Sequence, residues 1–106
     1  MPVVDVRDVA QAHYLGIKNA AAANKRYILV NDNMPFKEYA APITAKYRPL
    51  GWPITEVIDE PNPEEYVSLY DNKASKELGV KYTEFTKTFV EMADKMVENG
   101  SITKPN

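Results

Sequence analysis

Apolar positions along this chain recur with two different spacings, and the spacing divides the chain into segments. Residues 3–6 are a short β-branched run that leads straight into a helical pattern. Val6, Val9, Ala10, His13 and Ile17 then form one stripe of helical period. Asp5 is placed to cap the first turn of that helix, and Asp8 adds negative charge where the helix dipole favours it. The helix is expected to fade near Asn19, with small residues connecting it onward over 20–25. Arg26-Tyr-Ile-Leu-Val30 is an unbroken β-forming run, which predicts a strand buried on both faces. Asn31-Asp32-Asn33 is turn chemistry.

A second helix is predicted from Pro35, with Phe36, Tyr39, Ala40 and Ile43 on its inner face. Pro42 falls inside this pattern. It has no N–H and its ring crowds the preceding turn, so a kink or an early end is expected there. Pro49, Pro53, Pro61 and Pro63 make residues 48–63 irregular, with Trp52 and Ile54 anchoring the loop on the body. Residues 66–70 alternate and predict a short strand. Asp71 is placed to cap a short helix over 72–78 that Gly79 stops. Thr83 is the expected cap of a last helix over 84–98, with Phe85, Phe89, Met92, Ala93 and Met96 inward. The tail from Ser101 is expected to fray.

This order of elements is α/β. Two or three short, mostly parallel strands with three or four helices make a poor sheet by themselves, because parallel sheets want cover on both faces. The pattern therefore predicts a partial domain whose sheet is finished by something else.

Composition narrows the function. With 106 residues there is room for one domain and one modest core. The net charge is −2, and the 13 basic residues are interleaved with 15 acidic ones, so nucleic acid is a poor partner. There is no Cys and one His, which removes thiolate chemistry and makes a Cys- or His-based metal site improbable. No apolar run approaches the roughly 20 residues that span a bilayer. No secretory layout is present at the N-terminus, so a cytoplasmic location without membrane partners is expected.

Several stretches resemble the C-terminal part of extended short-chain dehydrogenases/reductases, in the branch of dihydroflavonol, cinnamoyl-CoA and methylglyoxal reductases. Val3-Val-Asp-Val-Arg-Asp-Val-Ala-Gln-Ala-His13 is similar to the segment that opens that part. Arg26-Tyr-Ile-Leu-Val30 resembles a strand that the family usually precedes with glycine, where this chain has Lys25. Phe36-Lys-Glu38, Asp71-Asn-Lys-Ala-Ser-Lys-Glu-Leu-Gly-Val80 and residues 83–100 follow in the family's order. The resemblance implies the substrate-side portion of a Rossmann-type, NADP(H)-dependent reductase of ketones or aldehydes. Residues 1–30 would join the sheet as strand, helix and strand, and 31–106 would cap the substrate.

The resemblance carries no catalytic or cofactor residue onto this chain. The family's Gly-rich turn, its Ser and its Tyr-x-x-x-Lys precede the matching segment, and the four glycines here (16, 51, 79 and 100) are not clustered. The chain alone is thus expected to bind no cofactor and to lack activity. Its pocket candidates are Asn33, Met34, Trp52 and Ile54. Its expected partners are a dinucleotide-binding region, or a second copy of itself, and a small carbonyl substrate. The alternative is a non-enzymatic interaction subunit derived from such a reductase, docking on a partner chain or self-associating.

Four other features invite a functional role and are better read plainly. Tyr14-Leu-Gly-Ile-Lys18 matches Tyr-x-x-x-Lys, but it follows the family's landmark segment, and seven Tyr make the spacing ordinary. His13 lies on the apolar stripe and reads as a satisfied, partly buried imidazole. Glu56, Asp59, Glu60, Glu64 and Glu65 cluster without the spacing that would fix a cation, and read as solvated loop acids. The stripe of Phe85, Phe89, Met92 and Met96 could be a partner groove, but core is the plainer reading. Apolar faces left without cover would mark an interface.

Overall fold

A computed structural model describes residues 2–33, 35–55 and 70–105. The predicted strand over 66–70, the acidic loop residues from Glu56 to Glu65, and Met34 lie outside the described residues or at their edge. The elements run β1 (Pro2–Val3), α1 (Val6–Lys18), a 3-10 turn (Ala20–Ala22), β2 (Asp32–Asn33), α2 (Phe36–Tyr47), a second 3-10 turn (Arg48–Leu50), α3 (Lys73–Leu78) and α4 (Phe85–Glu98). The fold is helix-rich with little strand.

The helices start and stop where local chemistry directs. Asp5 accepts the Arg7 N–H at 2.8 Å and caps α1. Asp71 accepts the Lys73 N–H at 2.9 Å, and Gly79 ends α3 in the left-handed region at φ 111°. The cap of α4 is Glu84 rather than the expected Thr83, because Thr83 turns its N–H and hydroxyl to Asp8 instead. Pro42 does not end α2, which continues to Tyr47. Its missing N–H costs one bond inside the helix, and packing along α4 is available to offset that loss.

The strands depart furthest from expectation. Among the described residues the one ladder is antiparallel, Pro2 opposite Asn33 and Val3 opposite Asp32, so the mostly parallel arrangement is not found. The run 26–30 forms no strand. Its β propensity is realised only beside a neighbouring strand, and the described residues offer it none. Tyr27, Leu29 and Val30 are half-buried and Ile28 is exposed, rather than buried on both faces.

The apolar core lies between α2 and α4. Tyr39 is fully buried, stacked on Phe89 at a centroid distance of 4.8 Å and edge-on to Phe85 at 5.9 Å. Ala93 and Tyr47 extend this core along the pair. Met92 and Met96, expected inward, are 49% and 36% exposed, because the face α4 turns to α2 is centred on Phe89 and Ala93. Helix α1 instead buries Asp8 and Ala12 and packs on α3.

Candidate functional site

The α2–α4 pair leaves a cleft of about 480 Å³ beside its core. Phe36, Tyr39, Ala40 and Ile43 come from one face of α2, Phe89 and Met92 from α4, and Ile54 with Thr55 closes one side. The walls are almost wholly apolar, and the lining side chains that carry a polar group are Tyr39, Thr44 and Thr55. No carboxylate, imidazole or ammonium lines it. Such a site can hold an apolar body and exclude water, and it is lined by no carboxylate, imidazole, ammonium or thiol to do chemistry on it.

A second hollow of about 300 Å³ lies on the other side of Ile54, walled by Tyr47, Trp52, Pro53, Ala93 and the tail. Trp52 stands edge-on to Tyr47 at 5.9 Å. The candidates Trp52 and Ile54 are therefore brought together, with Ile54 and the α2 residue Ile43 common to both cavities. Asn33 sits in β2, opposite Pro2. Thr44 falls on the same helical stripe as Phe36, Ala40 and Ile43, a periodicity that could have singled it out.

Polar geometry concentrates elsewhere, where α1 meets the start of α4. The Asp5 carboxylate accepts Nε and Nη2 of Arg7 at 2.9 and 2.7 Å and the Thr88 hydroxyl at 2.8 Å. The Arg7 hydrogen bonds hold the Asp5 carboxyl well below the usual carboxylate range, against the opposing pull of burial. Arg7 also reaches Glu91 on α4 at 2.5 Å, and these carboxylates raise the guanidinium pKa further. Asp8 accepts the Thr83 N–H and hydroxyl, both at 2.8 Å. On α4, Asp94 takes hydrogen bonds from Lys46 and from the Tyr47 hydroxyl. Its own pKa is lowered, first by Lys46, while that of Tyr47 is pushed up to about 12, first by Asp94. These groups tie elements together, and none faces the cleft.

The remaining sequence candidates fall outside any constellation. His13 is exposed rather than partly buried, because α1 turns Asp8 and Ala12 inward; its Nδ1 lies 2.8 Å from the Val9 carbonyl. Lys18 places its ammonium 5.7 Å from the Tyr14 ring centroid, a cation over an exposed ring face. Among the described residues no cluster of His, Asp or Glu could hold a metal ion. No helix among them is long and apolar enough to cross a membrane.

Among the described residues no helix start offers a dinucleotide its usual seat. A pyrophosphate seat needs free N–H groups and a close glycine backbone at a helix N-terminus. Here carboxylates of Asp5, Asp71 and Glu84 already occupy the first turns of α1, α3 and α4, and α2 opens behind Pro35.

No family model matches the chain. It is 28% identical over 102 residues to a ketoreductase of Aspergillus fumigatus and 32% identical over 100 residues to a cinnamoyl-CoA reductase of Arabidopsis thaliana. It is 30% identical over 97 residues to an uncharacterized oxidoreductase of Schizosaccharomyces pombe. These matches cover 96%, 93% and 92% of the chain but only 29%, 28% and 29% of the relatives. The chain thus spans less than a third of the length of the curated relatives it matches.

Proposed function

We propose that these residues are the substrate-side portion of a carbonyl reductase of the extended short-chain dehydrogenase/reductase type. The observation that carries this reading is the match itself: nearly the whole chain aligns with under a third of three reductases or oxidoreductases. The whole protein would reduce a ketone or aldehyde, with NADP(H) supplying the hydride from a Rossmann-type region outside residues 1–106. This portion would contribute apolar walls, with Trp52 and Ile54 among them and Asn33 and Met34 as further pocket candidates. Residues 26–30 would join the sheet of that region. In support, no backbone group of residues 26–29 is hydrogen-bonded to another backbone group among the described residues.

A second reading, an interaction subunit without catalysis, is favoured by one observation. Val6, Tyr14 and Ile17 on α1 are 79%, 61% and 88% exposed, a bare apolar stripe that a partner chain or a second copy could cover.

Sequencing the transcript upstream of the Met1 codon separates the two. An in-frame Gly-rich turn with a Ser and a Tyr-x-x-x-Lys is expected, and would sink the subunit reading. An in-frame stop codon directly upstream would sink the reductase reading for this gene. In titration, the 106-residue chain alone is expected to show no saturable NADPH binding; saturation would contradict both readings.

A further inference from the structure

The tail after α4 does not leave the body. Gly100, at φ 77°, turns the chain back from the end of the helix, and the Ile102 N–H bonds the Met96 carbonyl at 3.2 Å. Ile102, Thr103 and Pro105 then wall the hollow that Tyr47, Trp52 and Ile54 wall from the other side. Lys104 reaches across this junction. Its ammonium donates to the Leu50 carbonyl and stands 5.9 Å from the Trp52 ring centroid. Gly51, at φ 85°, leaves the room this needs, since a Cβ there would come within 3.3 Å of Nζ.

We propose that residues 101–105 are a strap that holds the Trp52–Ile54 loop in place, with Lys104 as its clasp. Every tail residue is exposed, so the strap is held by a few contacts at its two ends and can open without unfolding the helices. Ile54 is shared by the hollow and the α2–α4 cleft. Opening the strap frees the loop side of that shared wall, which Ile43 of α2 completes, so the strap sets the shape of the cleft mouth from a distance. This holds for either reading of the protein's function, because it concerns only contacts within the chain.

Trp52 is the one tryptophan, so its fluorescence reports the strap directly. In the full chain, Lys104→Gln removes the charge over the ring, and Ile102→Ser removes the apolar contact at the strap's other end. Both are substitutions of exposed residues, and far-UV circular dichroism checks that each variant is folded. Each is expected to raise the open fraction about fivefold, the ratio that loss of one modest contact produces. The readout is red-shifted Trp52 emission and stronger acrylamide quenching, at an unchanged melting temperature. Emission and quenching identical to the parent in both folded variants would overturn the proposal. A response to Ile102→Ser without one to Lys104→Gln would overturn the role given to Lys104.

Discussion

Along α2 and α4 the centre of the apolar stripe is buried, and Tyr39, Phe85 and Phe89 meet as packed rings. Along α1 the arrangement is reversed. Asp8 and Ala12 face the body, while Val6, Tyr14 and Ile17 face outward. Both regions are amphipathic, so amphipathicity alone does not decide which face is covered. The α2–α4 pair is joined chiefly by burial of apolar surface, with Asp94 bonding Lys46 and Tyr47 at its edge. The N-terminal region is joined by hydrogen bonds: Asp5 to Thr88, Asp8 to Thr83, and Gln11 to the Lys81 N–H at 2.8 Å. A helix pinned by its polar side keeps its apolar side available.

The largest effect should come from the ring cluster. Tyr39→Ala removes a fully buried side chain and both its ring contacts. It should cost about 3–5 kcal/mol, the range for aromatic truncation in a core. Urea unfolding followed by circular dichroism measures it, and a cost below about 1 kcal/mol would mean that the pair is not the apolar core.

Next comes the hydrogen-bonded side of α1. Asp8 is 4% exposed and satisfies two Thr83 groups. Asp8→Ala should cost about 2–3 kcal/mol, as expected for charged hydrogen bonds lost with their partners left wanting. Ala12→Ser, on the same face but outside that network, serves as a control for general disturbance of α1. Equal losses from the two substitutions would remove the distinction drawn here between bonding and packing.

A smaller effect is confined to acid. Arg7 holds the folded-state pKa of Asp5 below its unfolded value, near 4. The contribution of a depressed carboxyl is fully present above the unfolded pKa and is lost as pH falls through the folded one. The stability gap between the parent and Asp5→Asn should therefore stay constant from neutral pH down to about 5, then narrow below about 4. A gap that widened in acid would reverse the assignment. The Tyr39→Ala gap should show no such dependence, because the substitution removes ring contacts and leaves the Asp94 bonds to Lys46 and Tyr47 in place.

Much of the helical framework was legible because its signals are local. The cap at Asp5, the Asp71 carboxylate just ahead of α3, whose cap position is Asn72, the stop at Gly79, and the stripe through Tyr39 and Phe89 each lie within a turn or two of the element they define. The outward turn of α1 was not legible, since periodicity names a face but not what it meets. The tie between Asp8 and Thr83 joins residues 75 positions apart and leaves no local trace. Residues 26–30 read as a strand because propensity counts side chains, whereas a ladder needs a neighbour. Of the cleft, Ile54 and the α2 stripe could be read, but the hydrogen bond from Lys104 to Leu50 could not.

The smallest effect is the most discriminating. Ile17 is 88% exposed, so Ile17→Ala removes little buried surface within this chain. Alanine also favours a helix by a few tenths of a kcal/mol over isoleucine. The stability of the dilute chain should therefore change by less than about 0.5 kcal/mol, in either direction. A buried isoleucine cut to alanine would cost about 2–5 kcal/mol. The two outcomes are far enough apart for one pair of urea titrations to separate them. A near-zero change beside a large loss for Tyr39→Ala keeps the two regions distinct. A large loss at Ile17 would mean that the stripe is already covered, and α1 would then be held by the same apolar burial as α2 and α4.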